Sequence, residues 1–494
     1  MKRLLVLSLA LALILSVFSI PASAEDTGSN KLHFISRNIG SAIDSNNLTF
    51  QAIEEATGLD IEWELKPGEN YAQLCQIIIA SGDYPDAMEF HSLLYPNDLQ
   101  MLADDGVILP VNDLVEQFGQ NILPERPDYT WFTSTTDGLR YAIPCRVTEF
   151  MQNDYLAIRK DWLDQLGLAI PGNSEEYIAA LQAFADNKDA LVGADKPLIP
   201  MGAWSGTRNL LMSYFSSEQG FVRNWNDVDG HVVYYVNMPG YKASLETFRK
   251  MYQMGLVESE FPLMNRENFF EKFFANTYGS FLWYLDNSDP RLSAWMVQYL
   301  AAVPEADLES IYPFPDANGK SRIHAGTVGG PQVIVFDGAE NPANAVKLMN
   351  YLISDEGVDL VQMGIKGKHW DEKDGQVEVF PLSAEQKVEL GYKSYYLISM
   401  KGYLQPIRAY DPKVLRFGEG MKAASVPQIV VGATPTYIDK GSVLSDIINK
   451  YETELIVSTD VDFDATFDKY VAEWNSAGGQ TWTGEMDALY QAGK

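Results

Sequence analysis

Short strand patterns alternate with helix patterns along the chain, and this alternation constrains the fold more than any other feature of the sequence. Residues 31–36 are typical of a strand, and residues 49–57 are typical of a helix that ends at Gly58. In 61–65, apolar residues alternate with glutamates, as in a half-buried strand. Such alternation indicates α/β layers. Because 494 residues exceed one ordinary compact core, we expect two or three units.

Capping signals predict where two later helices begin. Asn173, with Glu176 three residues on, forms a capping box. Asn341 followed by Pro342 marks another helix start, because proline is favoured at the first helical position. Apolar residues recur at helical spacing behind each cap, so we expect each helix to bury one face.

The first 24 residues have the pattern of an export signal. Lys2 and Arg3 form a basic start, residues 4–20 are almost wholly apolar, and Ala22 and Ala24 frame a small-residue cleavage site. We expect cleavage after Ala24, which leaves a soluble mature chain of residues 25–494 in a periplasm, outside the cell or at its surface. An uncleaved membrane anchor is the alternative.

The chain is strongly acidic. It has 67 acidic and 37 basic residues, a formal net charge of −30 and a pI near 4.5. A polyanion is repelled by nucleic-acid phosphates and by anionic lipid. We therefore expect no nucleic-acid partner and no docking on an anionic membrane.

The two cysteines, Cys75 and Cys145, leave two possibilities open. An exported chain with one cysteine pair can form a disulfide. However, Cys75 falls on the apolar stripe of a predicted helix that begins near Tyr71. On a buried face, a free thiol behaves as a small hydrophobic group.

We find no local motif for catalysis. The five histidines form no H-E-x-x-H pair, and no G-x-S-x-G elbow is present. Residues 318–321 resemble the end of a phosphate loop, but Phe314 stands where the first glycine is required. Pairs such as Asp161 and Asp164 are expected by chance among 67 acids. Two acids far apart in sequence could still form a glycosidase site.

An ordered series of segments covers nearly all of residues 31–494. The segments include TGLDIEW (57–63), ASGDYPD (80–86), YAIP (141–144), LAIRKDWLDQLGL (156–168), GIKGKHW (364–370) and WNSAGG (474–479). One piece alone is a weak signal, but the ordered set behind an export signal is specific. Together they resemble the extracellular solute-binding proteins of ABC-type carbohydrate importers, in particular the large oligosaccharide-binding, lipoprotein-A-like branch.

The resemblance implies a fold and a domain organisation. The expected fold class is α/β, the two-lobe periplasmic-binding-protein fold of type II, with a ligand cleft between the lobes and hinge crossovers. We place the crossovers near 146–153, 284–289 and 329–335. Lobe one is then expected at 31–148 with 286–330, and lobe two at 149–285 with 331–494.

The sequence departs from the family pattern in two places. Relatives in this branch are usually lipid-anchored through a cysteine, and no cysteine lies at the expected cleavage site. Alginate-binding relatives also carry an acidic calcium loop after the helix that ends near Phe184. Residues 185–193 lack the order of acids and glycine that such a loop requires, so we expect no calcium and no other metal or cofactor.

A sugar site needs aromatic platforms for apolar C–H faces and polar groups for hydroxyls. Trp204 lies in a loop of small residues, and the resemblance implies that such regions supply ligand contacts. The expected ligand-binding residues are Trp204, Trp283, Trp370, Tyr284, Glu89, Phe90 and Asn38. For each aromatic residue, packing in the core is the alternative. Arg208 would pair with a uronate carboxylate or lie on the surface.

The resemblance implies a monomeric binding protein that captures an oligosaccharide and delivers it to ABC transporter permease subunits. No reaction would take place in it, so we expect no enzyme activity. One alternative is a secreted carbohydrate-active enzyme, such as a lyase or a hydrolase. Another is the same fold binding a solute that is not a sugar.

Overall fold

The structure is a computed structural model of the chain. It describes residues 26, 28–38, 46–67, 70–91, 97–126, 131–134, 136–145, 154–204, 207–284, 294–324, 331–391, 412–427, 429 and 434–492. The expected export signal lies outside these residues. Among the described helices, none has the length and apolar character needed to cross a membrane.

The described residues form two compact units. The first comprises the residues up to 145, 331–365 and 382–391, and the second comprises 154–324, 366–381 and the residues from 412 onward. Each unit contains one main sheet with helices packed against it. The chain therefore passes between the units several times.

The strands, in chain order, are β1 (Lys31–Asn38), β2 (Asp60–Pro67), β3 (Ala87–Phe90), β4 (Ile143–Pro144), β5 (Asp154–Arg159), β6 (Ile199–Gly202), β7 (Trp225–Val228), β8 (His231–Tyr234), β9 (Tyr278–Tyr284), β10 (Leu308–Ile311), β11 (Ile323–His324), β12 (Gln332–Val335), β13 (Trp370–Lys373), β14 (Gln376–Val379) and β15 (Ser425–Val426).

The helices are α1 (Leu48–Thr57), α2 (Tyr71–Ser81), α3 (Asn97–Asp104), α4 (Asn112–Phe118), α5 (Ile122–Glu125), α6 (Lys160–Leu166), α7 (Ser174–Asp186), α8 (Lys188–Val192), α9 (Arg208–Glu218), α10 (Tyr241–Gln253), α11 (Arg266–Phe274), α12 (Ala294–Ala302), α13 (Pro342–Leu352), α14 (Asp355–Met363), α15 (Ala384–Leu390), α16 (Pro412–Ala424), α17 (Pro435–Val457), α18 (Phe463–Trp474) and α19 (Gln480–Ala492). A 3₁₀ turn (Tyr235–Asn237) and a π turn (Asn475–Gly479) complete the set.

The first unit is built on a five-stranded sheet with the order β2-β1-β3-β12-β4. Strands β1, β2 and β3 run parallel, and β12 is antiparallel to β3 and β4. Successive side chains of a strand point to opposite faces. Accordingly, Phe34 and Ile35 enter two different apolar clusters, each of which buries one face of the sheet.

The two cysteines are free thiols in these separate clusters. Cys75 packs in the cluster that contains Ile35, and Cys145 packs in the cluster that contains Phe34. Because the clusters lie on opposite faces of one sheet, the disulfide alternative is wrong. Burial raises the pKa of the Cys75 thiol to about 12, so the thiol stays protonated.

The second unit is built on a four-stranded sheet with the order β10-β5-β9-β6. Strand β5 is antiparallel to both of its neighbours, β9 and β10, and β6 runs parallel to β9. Helix α7 packs against β9, where Gly279 lies beneath the ring of Phe184: a Cβ at Gly279 would come within 2.5 Å of that ring.

The helix caps predicted from the sequence are present, although the carboxylate of Glu176 accepts the N–H of Gly172 and not that of Asn173. Asn173 accepts a hydrogen bond from the N–H of Glu176 at 2.9 Å. Asn341 caps α13, and Pro342 is the first helical residue. Gly58 ends α1 in the left-handed region.

The assignment of residues 286–330 to the first lobe is not what the structure shows. Within that range, β10 pairs with β5 of the second unit. Conversely, β12, which we expected in the second lobe, lies in the sheet of the first unit. Strand pairing between distant segments determines both placements, and local sequence patterns do not predict such pairing. Residues 146–153 and most of the expected crossover at 284–289 lie outside the described residues.

Candidate functional site

Four aromatic residues follow or end three strands at one edge of the second unit's sheet, in which β5 lies between β9 and β10. Strands β6, β9 and β10 run in the same direction, so their carboxyl ends meet at this edge. Trp204 comes two residues after β6, Trp283 and Tyr284 end β9, and Tyr312 follows β10. We call these four residues the aromatic edge. With strands about 4.8 Å apart, the row spans about 14 Å.

The register places Trp204 and Trp283 at the same level. Gly202 pairs with Phe281, and each tryptophan comes two residues later. The side chains of Trp283 and Tyr284 are outside the described part of the structure, so only their backbone positions enter this comparison. Tyr312 is 44% exposed, and its ring lies 4.8 Å from that of Phe417.

Trp204 is half-buried and held by its own loop. Its N–H donates to Oγ1 of Thr207 at 3.1 Å, and that hydroxyl donates to the carbonyl of Trp204 at 2.7 Å. The indole lies 4.6 Å from the ring of Phe269. A partly exposed tryptophan packed on another ring suits a stacking platform.

A glycine makes room for the packing below this platform. A Cβ at Gly202 would lie 2.5 Å from the ring of Tyr278. Tyr278 in turn stacks on Phe269 at 5.0 Å. Gly202, Tyr278 and Phe269 thus form the support on which Trp204 rests.

Arg208 begins α9, next to the Trp204 loop, and it is not a free surface residue. Its side chain is 13% exposed. Nε lies 3.1 Å from Oε2 of Glu452, Nη1 donates to Oγ1 of Thr453 at 3.1 Å, and Nη2 donates to Oδ1 of Asn449. All three partner residues belong to α17, and the contact of Nε with Glu452 is an ion pair without a hydrogen bond. The expectation of a surface position for Arg208 is therefore corrected.

Glu452 is the centre of a buried polar cluster, which we call the Glu452 cluster: Arg208, Arg223, Tyr241 and Glu452. Arg223 donates to both oxygens of Glu452, at 2.6 and 2.7 Å, and the hydroxyl of Tyr241 donates to Oε1. Glu452 has no exposed surface. Burial acts to lower the pKa of Arg223, but Glu452 outweighs this and holds the pKa well above its usual value. Burial also raises the pKa of Tyr241, and the neighbouring carboxylate adds to the effect.

Sequence reasoning missed Glu452, although a signal was present. Glu452 interrupts the apolar stripe of α17 formed by Ile448, Tyr451 and Leu455. An acid on the buried face of a helix requires a buried partner. The identity of that partner, Arg223, depends on the tertiary fold.

In the first unit, the predicted residues Asn38, Glu89 and Phe90 lie at the carboxyl ends of β1 and β3. The parallel register brings Asn38 level with His91, the residue after Phe90. Glu89 has no exposed surface: it accepts from Oγ of Ser36 at 3.0 Å, and its Oε1 lies 2.9 Å from Nε2 of His91. We call Asn38, Glu89 and His91 the polar edge. The side chain of Asn38 is outside the described part.

Two predicted residues are buried. Phe90 is 2% exposed and packs in the apolar cluster of the first unit that contains Cys75. Trp370 is 3% exposed and begins the β13–β14 hairpin, where it pairs with Val379. For both residues, the alternative of packing inside the protein describes the structure better than an open ligand contact.

A groove of about 930 Å³ lies at the opposite end of the second unit's sheet. Its lining includes Pro197 and Thr277, which precede β6 and β9, and Leu263, which is 93% exposed. None of the predicted ligand residues lines it.

Residues 185–193, where alginate-binding relatives carry a calcium loop, continue from α7 into the short helix α8. In the part of the chain that the structure describes, no three His, Cys, Asp or Glu residues converge in a way that could hold a metal ion. The residues present do not fit a calcium site of that kind.

Comparison with known proteins gives a family match. The model of the family "bacterial extracellular solute-binding protein" matches residues 46–359. The fructooligosaccharide ABC transporter substrate-binding protein FusA of Streptococcus pneumoniae is 30% identical over 230 residues. That match covers 44% of this chain and 42% of FusA, so it spans less than half the length of this relative.

Two solved structures resemble the chain over nearly its full length. The structure of S. pneumoniae FusA in complex with kestose has a TM-score of 0.69 at 21% identity and covers 94% of this chain and 100% of that one. The alginate-binding protein AlgQ2, solved without calcium, has a TM-score of 0.70 at 17% identity, with 95% and 99% covered. At these identities the likeness shows the fold alone, and it confirms the expected two-lobe α/β class.

Proposed function

The chain belongs to the bacterial extracellular solute-binding protein family, and we propose that it captures an oligosaccharide and delivers it to the permease of an ABC transporter. FusA, to which it is similar, is a substrate-binding protein of such a transporter and takes fructooligosaccharides. The protein would release the oligosaccharide without any chemical change to the sugar.

The observation that carries the sugar assignment is the aromatic edge. Sugar rings have apolar C–H faces that stack on aromatic rings, and a half-exposed, rigidly held indole supplies such a surface at low entropic cost. Trp204 is partly exposed and packs on Phe269, and the register puts the backbone of Trp283, near the end of β9, level with Trp204.

We assign roles to the predicted residues accordingly. Trp204, Trp283 and Tyr284 would stack on sugar rings. Asn38 would offer its amide to hydroxyls, and Glu89 would act indirectly by orienting His91, because its own oxygens are buried. Phe90 and Trp370 would support the fold; both are nearly fully buried.

The family is extracellular, and the finer points of location and assembly are proposals. We propose that residues 1–24 direct export and are cleaved after Ala24, as their basic start and apolar run indicate. We also propose that the protein acts as a monomer with permease subunits as partners.

A thermal-unfolding screen of the purified protein against oligosaccharides tests the function. A ligand present at about 100 times its Kd should add about 2.7 kcal/mol to the free energy of unfolding. Chromatography of each sugar after incubation should recover it intact. A stabilising sugar that is consumed would instead indicate an enzyme, and a folded protein that no sugar stabilises would refute the carbohydrate assignment.

Replacement of Trp204 tests the site. Trp204→Ala should weaken sugar binding by about 1 kcal/mol or more, because it removes the stacking surface, whereas Trp204→Phe should retain most of the affinity. Tyr437→Ala is the matched control, since Tyr437 is 40% exposed but lies on α17, stacked on Trp482. Isothermal titration calorimetry gives each Kd. Equal losses of sugar affinity in Trp204→Ala and Tyr437→Ala would refute the role of Trp204 as a stacking platform.

A further inference from the structure

Arg208 is the basic residue nearest to Trp204 in sequence, and it is already engaged. Nη1 donates to Thr453 and Nη2 donates to Asn449, both on α17, and Nε lies 3.1 Å from the carboxylate of Glu452 as an ion pair without a hydrogen bond. A uronate carboxylate is recognised best by an arginine whose paired N–H groups are free to form parallel hydrogen bonds. Arg208 does not offer such a pair in this arrangement.

Glu452 is the only charged group among these partners of Arg208, and it is held firmly. It has no exposed surface, and Arg223 anchors it through two hydrogen bonds. Arg223 itself is 7% exposed and covered by Tyr235, whose ring centre lies 4.9 Å from the guanidinium. The cluster carries a formal charge of +1: Arg223 is shielded from an external ligand, and Arg208, which is 13% exposed, is engaged with α17.

The polar edge of the first unit also contains a buried carboxylate beside basic groups. Glu89 has no exposed surface, accepts the N–H of Arg37 at 3.1 Å and lies 4.0 Å from Nε of that arginine. Here too a buried carboxylate lies beside basic side chains, 2.9 Å from Nε2 of His91 and 4.0 Å from Nε of Arg37. The net charge of −30 adds a long-range repulsion toward any acidic sugar.

We infer that the captured oligosaccharide is uncharged, and that Glu452 sets this specificity by keeping Arg208 bound to α17. The inference rests on the proposed function and adds the chemical class of the ligand. It separates this protein from an alginate-type binder, which must accept a carboxylate on every ring.

The test compares neutral trisaccharides, such as kestose and maltotriose, with trigalacturonate by calorimetry on the full purified protein. The wild type should bind a neutral sugar at least about tenfold more tightly than the uronate, which corresponds to about 1.4 kcal/mol. The Kd of the neutral sugar should stay the same between 20 and 500 mM NaCl, because no ion pair with the ligand is screened.

Glu452→Gln should release Arg208 and raise the affinity for trigalacturonate by about tenfold, in a way that high salt abolishes. Glu454→Gln, on the same helix, is the matched control with the same loss of one negative charge and should leave the affinity for the uronate unchanged. A folded Glu452→Gln protein without this gain would overturn the role of Glu452.

Arg208→Met keeps the test decisive if Glu452→Gln does not fold. It leaves the Glu452–Arg223 pair intact, and it should weaken neutral-sugar binding less than Trp204→Ala does. A wild type that prefers trigalacturonate would overturn the inference, most directly if Arg208→Met removes that preference. A wild type that binds neither class would instead refute the proposed function, so the two failures are distinguishable.

Discussion

His324 is a largely buried histidine that the fold keeps neutral. It lies in β11, and its Nε2 contacts the side-chain amide of Asn224. Burial lowers the pKa of His324 from its ordinary value of 6.5 to about 4. Below pH 6.5 the imidazole of His324 is therefore protonated in the unfolded chain but stays neutral in the folded chain until the pH approaches 4.

This makes a prediction for stability against pH. Between pH 6.5 and pH 4 the unfolded state binds more protons, so His324 should lower the free energy of unfolding as the pH falls, by up to about 3 kcal/mol at pH 4. Well above pH 6.5, His324 makes no contribution to the pH dependence of the free energy of unfolding. In His324→Gln, urea unfolding at pH 7 and pH 4 should show a smaller loss than in the wild type. Equal losses in both proteins would contradict the assignment.

At the scale of the element, strand β6 depends on a glycine. The ring of Tyr278 lies across Gly202, and the Trp204 loop begins directly after this contact. Gly202 has no positive φ, so the space occupied by the tyrosine, and not the backbone conformation, requires a glycine.

Gly202→Ala should therefore affect both stability and binding. The added methyl group would lie 2.5 Å from the Tyr278 ring, and overpacking of this kind costs about 1–3 kcal/mol. The displaced ring should also weaken sugar binding through Phe269 and Trp204. Gly484→Ala is the control: it lies in α19 with open space around it and should stabilise the protein slightly. Unchanged melting temperature and Kd in Gly202→Ala would contradict this account of the platform.

Local signals in the sequence predicted local structure. Side-chain caps such as Asn173 and Asn341 act within a few residues, and the buried face of α2 follows from its apolar spacing around Cys75. The strand order and the unit of β10 and β12 could not be predicted, because they depend on pairing between segments more than 100 residues apart.

The candidate site was predictable only in part, for the same reason. Trp204 stood out because it lies in a small-residue loop outside any helical stripe. The burial of Trp370 and Phe90, and the pairing of Arg208 with Glu452, are set by tertiary contacts. A sequence identifies a residue suited to a site, but packing decides whether that residue faces the ligand or the core.

At the scale of the whole molecule, the net charge is consistent with the proposed class of ligand. A net charge of −30 favours solubility and repels anionic ligands, whereas a neutral sugar feels no such field. Binding then depends on stacking and hydrogen bonds, which salt does not screen. The family assigns the molecule to solute capture, and the aromatic edge of the second unit is where we expect that capture to begin.

A crystal structure of the protein with its most stabilising neutral oligosaccharide tests the central claim most directly. The account predicts an intact sugar with one ring stacked on the indole of Trp204, further contacts at the end of β9, and Arg208 still bound to Glu452. A sugar bound away from Trp204, a cleaved sugar, or an Arg208 turned toward the ligand would contradict it.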